Sequence, residues 1–262
     1  MDLSGAGGLL GQSAGRSART VTDSLDARGQ GWKNAVQVVA IDPCAAYRTA
    51  VERALPHATI VADHFHLVRL ANEMVTDVRQ RVAREQLGRR GRKADPAWAK
   101  RRLLLRAGNR LSGRALDRLM ATFDRRSDPT GELGAAWGVK ERLRMLLAAR
   151  DRHTIAHRLH RFHETVLSAD LPEATRLART VDAWWPEILA FCETRITNAG
   201  TEGTTGDQRR RPDRLRVSQL GQLTPPGTVP LHPANPPDNQ CRGVGSPSSL
   251  RKCATNEEGW LM

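Results

Sequence analysis

Two runs, Val36-Gln37-Val38-Val39-Ala40-Ile41-Asp42-Pro43 and Thr59-Ile60-Val61-Ala62-Asp63, decide how this chain is read. Each is a short apolar stretch rich in β-branched residues and closed by a carboxylate. Runs of this length bounded by turn residues read as buried strands. Ala45 to Ala54, between them, reads as a short helix. The order is therefore strand, carboxylate, helix, strand, carboxylate. A carboxylate at the C-terminal end of a strand faces the crevice in which open α/β sheets bind ligands. The expected fold class is α/β.

Working outward, residues 1–15 are rich in Gly and Ser, and Leu9-Leu10-Gly11-Gln12 reads as the end of a strand. Ser17 to Arg28 turns helical, with Val21 and Leu25 four apart on one face and Trp32 packing just beyond. From Phe65 the chain reads as long helices, because Leu67, Leu70, Met74, Val75 and Val78 recur at helical spacing. Gly88, Gly91 and Pro96 break an intensely basic stretch into helix, loop and new helix. Residues 101–191 read as all-helical. Asp128-Pro129-Thr130-Gly131 marks a turn within them, and Pro172 and Pro186 sit at helix starts. After Gly203 the composition shifts to Pro, Gly, Ser, Asn and Arg, and disorder is expected over 205–262.

The formal charge is +13, from 41 Lys and Arg against 28 Asp and Glu. Such an excess points to a polyanionic partner, nucleic acid before membrane. Most of it is Arg, which forks onto phosphate and guanine edges, although a GC-rich genome also enriches Arg codons. No apolar run approaches the roughly 18 residues a membrane span needs. Neither a signal peptide nor a CxxC pair is visible among Cys44, Cys192, Cys241 and Cys253, so a cytoplasmic, reduced protein is expected.

Asp42 suits magnesium, a hard cation often held by one or two carboxylates plus substrate phosphates; equally, it suits a helix N-cap ahead of Pro43. Asp63 and His66, three apart, would meet on one helical turn to brace such a site, or Asp63 would cap the helix with His66 packed against it. His153, His157, His160 and His163 lie near one helix face. They lack the H-E-x-x-H order of a zinc helix and read as a polar face. Arg84, Arg89, Arg90, Arg92, Lys93, Arg101 and Arg102 would grip a DNA backbone, or form a solvated charged loop. Glu202 before Gly203 reads, alone, as an ordinary helix-end residue.

Taken in order, Val38-Val39-Ala40-Ile41-Asp42-Pro43, Tyr47-Arg48, Asp63-His64-Phe65-His66, Leu87-Gly88-Arg89-Arg90-Gly91-Arg92-Lys93, Trp184-Trp185-Pro186 and Thr197-Asn198-Ala199 with Thr201-Glu202-Gly203 resemble the DDE transposases of the ISL-three insertion-sequence group. The resemblance runs from about Gly8 to Gly203. It implies a ribonuclease-H-like core with a large helical insertion before its last helix. Residues 1–80 would be a partial core, 81–190 the insertion, 191–204 the remnant of the last core helix and 205–262 the tail. The resemblance further implies Asp42 as the second acid of the triad, Glu202 as the third, and Asp63 with His66 as a supporting D-x-x-H pair. Magnesium would be the cofactor and DNA the partner. The chain would act as a homo-oligomer or alongside an intact transposase.

Two departures from the family pattern shape the expectation. Its first acid lies on a first strand well upstream of the helix at Ser17, and no acid here holds that place. After Glu202-Gly203 the family continues with a basic helix and a segment like A-x-G-F-R-N. Here Asp213-Arg214-Leu215-Arg216-Val217-Ser218-Gln219 has codons available that, read one base later, give Ile-Ala-Cys-Gly-Phe-Arg-Asn. The expectation is a truncated, frameshifted and inactive transposase fragment, its sheet left with an unpaired edge. The alternatives are a non-catalytic DNA-binding protein that inhibits an intact transposase, and an unrelated helical scaffold.

Overall fold

A computed structural model describes residues 13–14, 17–197, 214–215 and 218–220. The chain runs through β1 (Ser13–Ala14), α1 (Ala18–Asp26), α2 (Gln30–Ala35), β2 (Val38–Ile41), α3 (Ala45–Ala54), β3 (Thr59–Ala62) and α4 (His64–Leu87). Next come α5 (Pro96–Ala99), α6 (Arg101–Leu104), a 3-10 turn at Gly108–Arg110, α7 (Gly113–Met120) and α8 (Glu132–Ala148). Helices α9 (Arg152–Ala169), α10 (Pro172–Ala183) and α11 (Trp185–Thr194) follow, then β4 (Arg214–Leu215) and β5 (Ser218–Leu220). All of these lie within one unit, residues 1–223; a second, residues 224–262, falls outside the described residues.

The architecture is α/β and mostly helical. Strands β2 and β3 pair in parallel, Val38 opposite Thr59 through Ile41 opposite Ala62, so Asp42 and Asp63 leave the sheet at the same edge. All four residues of β2 are buried, which is why the run shows no alternation. On its other side β2 pairs antiparallel with β5, Val38 opposite Leu220 and Ala40 opposite Ser218, while β1 pairs with β4. One expectation is corrected here: the edge of β2 is covered by β5, not open. Within the span 205–262, residues 214–215 and 218–220 are strand. The rest of that span lies outside the described residues, as do residues 1–12.

Ser17 caps α1 by accepting from the Thr20 N–H at 3.1 Å, and Val21 and Leu25 turn inward as their spacing requires. The segment around Trp32, read as a packing residue alone, is itself the short helix α2. Helix α4 buries Leu67, Ala71, Met74, Val75, Val78 and Val82, a stripe at three- and four-residue steps. It packs against α8, which also contacts α9, while α11 lies against β3. Pro172 and Pro186 occupy the first turns of α10 and α11, where the missing N–H costs nothing. Buried Asp128 accepts from the Gly134 N–H at 2.9 Å at the head of α8.

Candidate active site and nucleic-acid interface

The parallel register sets the site. Asp42 directly follows β2 and Asp63 directly follows β3, and the Asp63 N–H donates to the Ile41 carbonyl at 2.8 Å. The two carboxylates then meet different surroundings. Asp42 has a side chain 48% exposed, open enough for a ligand to reach, and its Oδ2 lies 3.6 Å from His66 Nδ1. Asp63 is buried at 2% exposure and accepts from the Thr197 hydroxyl at 2.9 Å. Its side chain makes no cap bond to α4.

The pairing expected between Asp63 and His66 is therefore not what the fold builds. His66, on the first turn of α4, approaches Asp42, and Asp63 instead holds Thr197, 134 positions later. At 3.6 Å the Asp42–His66 approach is an electrostatic contact and too long for a hydrogen bond. Arg69 Nη2 lies 2.9 Å from the same Nδ1 and 3.4 Å from Nε2, so the ring sits between Asp42 and a guanidinium.

The Thr197–Asp63 contact is one that sequence reading missed, since a hydroxyl bond across that separation has no local signature. It fixes the chain leaving α11 at the edge where Asp42 lies. Arg195 secures the same turn: it adopts a left-handed backbone, φ 61°, and its guanidinium donates to the carbonyls of Leu147 and Ala149. Glu202 lies outside the described residues. It follows Thr197 by five positions, so extended chain geometry limits their Cα separation to about 18 Å.

His64 stacks on Phe191 with ring centroids 4.6 Å apart. Burial pushes its pKa down from the ordinary 6.5; Asp63 opposes this and Arg195 adds to it. The unfolded chain thus takes the proton more readily. Stability carried by neutral His64 is complete above 6.5 and is lost as pH falls through the lower folded value. Urea midpoints of wild type should fall on acidification more than those of His64→Phe, which keeps the stack but cannot titrate. Equal falls would show that His64 does not carry the effect.

The basic stretch is a built loop. Gly88 ends α4 at φ 61°, a conformation that favours glycine. Arg89 then forks onto Asp95, Nη1 to Oδ2 at 2.7 Å and Nη2 to Oδ1 at 2.9 Å, while the Arg92 N–H also donates to Asp95. These bonds hold the Asp95 carboxyl down to about 2. Gly91 allows Trp98 to close over the loop, since a Cβ there would lie 3.1 Å from the Trp98 Cβ. Arg101 stacks on Trp98 at 3.7 Å and donates to its carbonyl at 3.0 Å. Arg89 and Arg101, expected to reach outward, are thus engaged within the loop, while Arg84, Arg90, Arg92, Lys93 and Arg102 are exposed.

On the helical side, His160 pairs with Glu164 and His163 with Asp182, each at 3.2 Å. Among the described residues no three His, Cys, Asp or Glu side chains converge on a metal position, at this face or around Asp42. These residues alone therefore supply part of a donor set and do not complete it.

A family model described as a transposase, that of the DDE ISL-three group, matches residues 2–209. This chain belongs to the DDE transposases of the ISL-three group. No curated protein and no solved structure matches it. Membership gives the ISL-three transposase its substrate class, DNA, and transposases of this family generally use a divalent metal ion. Of the residues whose order suggested the family, those up to Thr197 lie within the described residues. Arg48 stacks on Trp184 at 3.7 Å and pairs with Glu187 at 2.8 Å, joining motifs on opposite sides of the helical region. Among the described residues, no helix of the transposase is long and apolar enough to cross a membrane.

Proposed function

We propose that this chain acts on DNA by the phosphoryl-transfer chemistry of its family, with Asp42 and Glu202 as two acids of the site, His66 and Asp63 supporting them, and a ribonuclease-H-like arrangement around β2 and β3. The observation that carries the reading is the Thr197–Asp63 hydrogen bond, which ties the segment leading to Glu202 beside the strand end that bears Asp42. Asp42 offers a half-exposed oxygen donor there and Glu202 would supply a second; magnesium favours such oxygens. When bound, a divalent ion would supply Lewis-acid stabilisation of the phosphate undergoing attack. The chain's own contribution is placement: β2 holds Asp42 at its end, His66 packs beside it, and Asp63 positions the returning segment through Thr197. Helix α4 runs unbroken from this edge to the basic loop, so the core and the helical insertion share it.

A second reading, DNA binding without cleavage, is favoured by the incomplete donor set around Asp42 among the described residues. The experiment that separates the two is a magnesium-dependent nicking assay on supercoiled DNA, with wild type beside Asp42→Asn. Nicking that Asp42→Asn abolishes, with DNA affinity unchanged, supports the catalytic reading. Salt-sensitive binding with no nicking selects the second. A chain that neither binds nor nicks DNA overturns both.

The loop has its own test. Each phosphate contact contributes a slope of about 0.9 to the fall of log affinity with log salt on duplex DNA. Changing Arg90, Arg92 and Lys93 together to Gln should flatten that slope by about 2 to 3 if each touches one phosphate. These side chains are exposed, so stability should be unaffected. An unchanged slope would place the DNA elsewhere.

A further inference from the structure

Beneath the basic loop lies a cavity of about 110 Å³, several times the ~30 Å³ share of one water. Its lining includes Arg79, Gln86, Asp95, Trp98 and Arg126. Arg79 projects from α4 and is part-buried, yet it makes no hydrogen bond or ion pair with any described residue. Its side-chain nitrogens are not among the buried atoms, so they keep contact with solvent and an arriving anion can reach them. Asp95, the one carboxylate lining the cavity, is already held by the Arg89 fork and the Arg92 N–H. Arg126 lies near Asp124, whose carboxylate accepts from the Ser127 and Arg126 N–H groups. Arg101 stands close enough to Arg79 to disfavour its charge further, beyond the effect of burial. The local charge thus has an excess of cations around a space large enough for an anion.

We infer that this cavity is a phosphate-binding site in which Arg79, with Arg126 at the same opening, takes a phosphoryl group, supplied by the DNA backbone as it passes the basic loop. The inference rests on the DNA-binding reading above and specifies where one backbone phosphate is gripped. Arginine suits this role because its planar fork meets two phosphate oxygens at once. Trp98 and the Arg89–Asp95 fork hold the loop that roofs the cavity, so the site is pre-formed. Free inorganic phosphate has the same chemistry and would occupy the same position.

The test uses the full chain, a labelled DNA duplex and inorganic phosphate. Arg79→Gln should weaken duplex binding about tenfold and reduce the salt slope by about 0.9, the loss of one phosphate contact. Arg79→Lys, which keeps the charge but not the fork, should keep the slope and lose part of the affinity. Arg114→Gln, exposed on α7 and outside the cavity, should change the slope less than Arg79→Gln. Inorganic phosphate should raise the melting temperature of wild type relative to chloride at equal ionic strength, and should not raise that of Arg79→Gln. A phosphate effect that depends on Arg79, without any duplex effect, assigns the site to free phosphate. Unchanged duplex slope together with an unchanged phosphate effect in Arg79→Gln overturns the inference. So does a large loss of stability in that variant, since Arg79 would then have a partner within the protein. None of these readouts depends on nicking, so failure of the catalytic reading leaves them distinct.

Discussion

Arg48→Ala is expected to lower unfolding free energy by about 2–4 kcal/mol, somewhat under the range for fully buried pairs because Arg48 is partly exposed. Arg48 Nη2 donates to Glu187 Oε2 at 2.9 Å and to the Ala183 carbonyl at 2.9 Å, and Nε lies 2.8 Å from Glu187 Oε1 as an ion pair. Its plane lies 3.7 Å from Trp184. Glu187 is 8% exposed, so truncating Arg48 leaves a buried carboxylate unpaired and a carbonyl without its donor. Arg48→Lys should recover less than half of the loss, because a point charge cannot fork onto the carboxylate or stack on the indole. The consequence reaches the candidate site: this clamp fixes the α10–α11 junction against α3, and α11 carries the chain to Thr197. Urea denaturation of the three proteins measures the effect. A loss below about 1 kcal/mol would mean the pair behaves as an ordinary surface salt bridge.

Lys140→Ala should be the more damaging change, about 3–5 kcal/mol. Lys140 sits in α8 at 0% exposure, and its ammonium donates to the carbonyls of Leu104 and Arg106, both at 2.7 Å, with Glu141 Oε1 at 2.8 Å. It thereby satisfies carbonyls at the end of α6 that no helix turn can reach. Alanine removes the donors and opens a cavity; Lys140→Met keeps the volume and should cost roughly 1–3 kcal/mol for the orphaned acceptors alone. Burial also lowers the Lys140 pKa below that of a free lysine, partly offset by Glu141. The unfolded chain therefore holds this proton more tightly. Wild-type stability should rise relative to Lys140→Met as pH climbs from the folded value toward that of a free lysine. Equal stability of Lys140→Ala and wild type by urea denaturation would rule out the clamp.

Both changes act on contacts that join helices to one another, and they separate stability from DNA handling. Neither residue lies in the basic loop. Among molecules still folded, the salt slope of DNA binding should match wild type in both variants. Neither clamp touches Arg89 or Asp95, which fasten the basic loop.

The sequence by itself determined the elements and the family. Val38–Ile41 and Thr59–Ala62 are strands because short β-branched runs between turn residues have no better alternative, and α3 spans Ala45–Ala54 as its pattern required. Gly88 and Pro96 marked the ends of the basic loop through backbone conformation alone, which is a local property. Partners were another matter. That Asp63 would hold Thr197 while His66 turned to Asp42, that Arg89 and Arg101 would be used within the loop, and that Arg79 would be left part-buried without a partner all depend on which surfaces meet after the chain has folded. Local pattern fixes backbone preference over a few residues. Hydrogen bonds and ion pairs between residues more than a hundred positions apart are chosen by the packing of whole helices, and only the tertiary structure makes that choice.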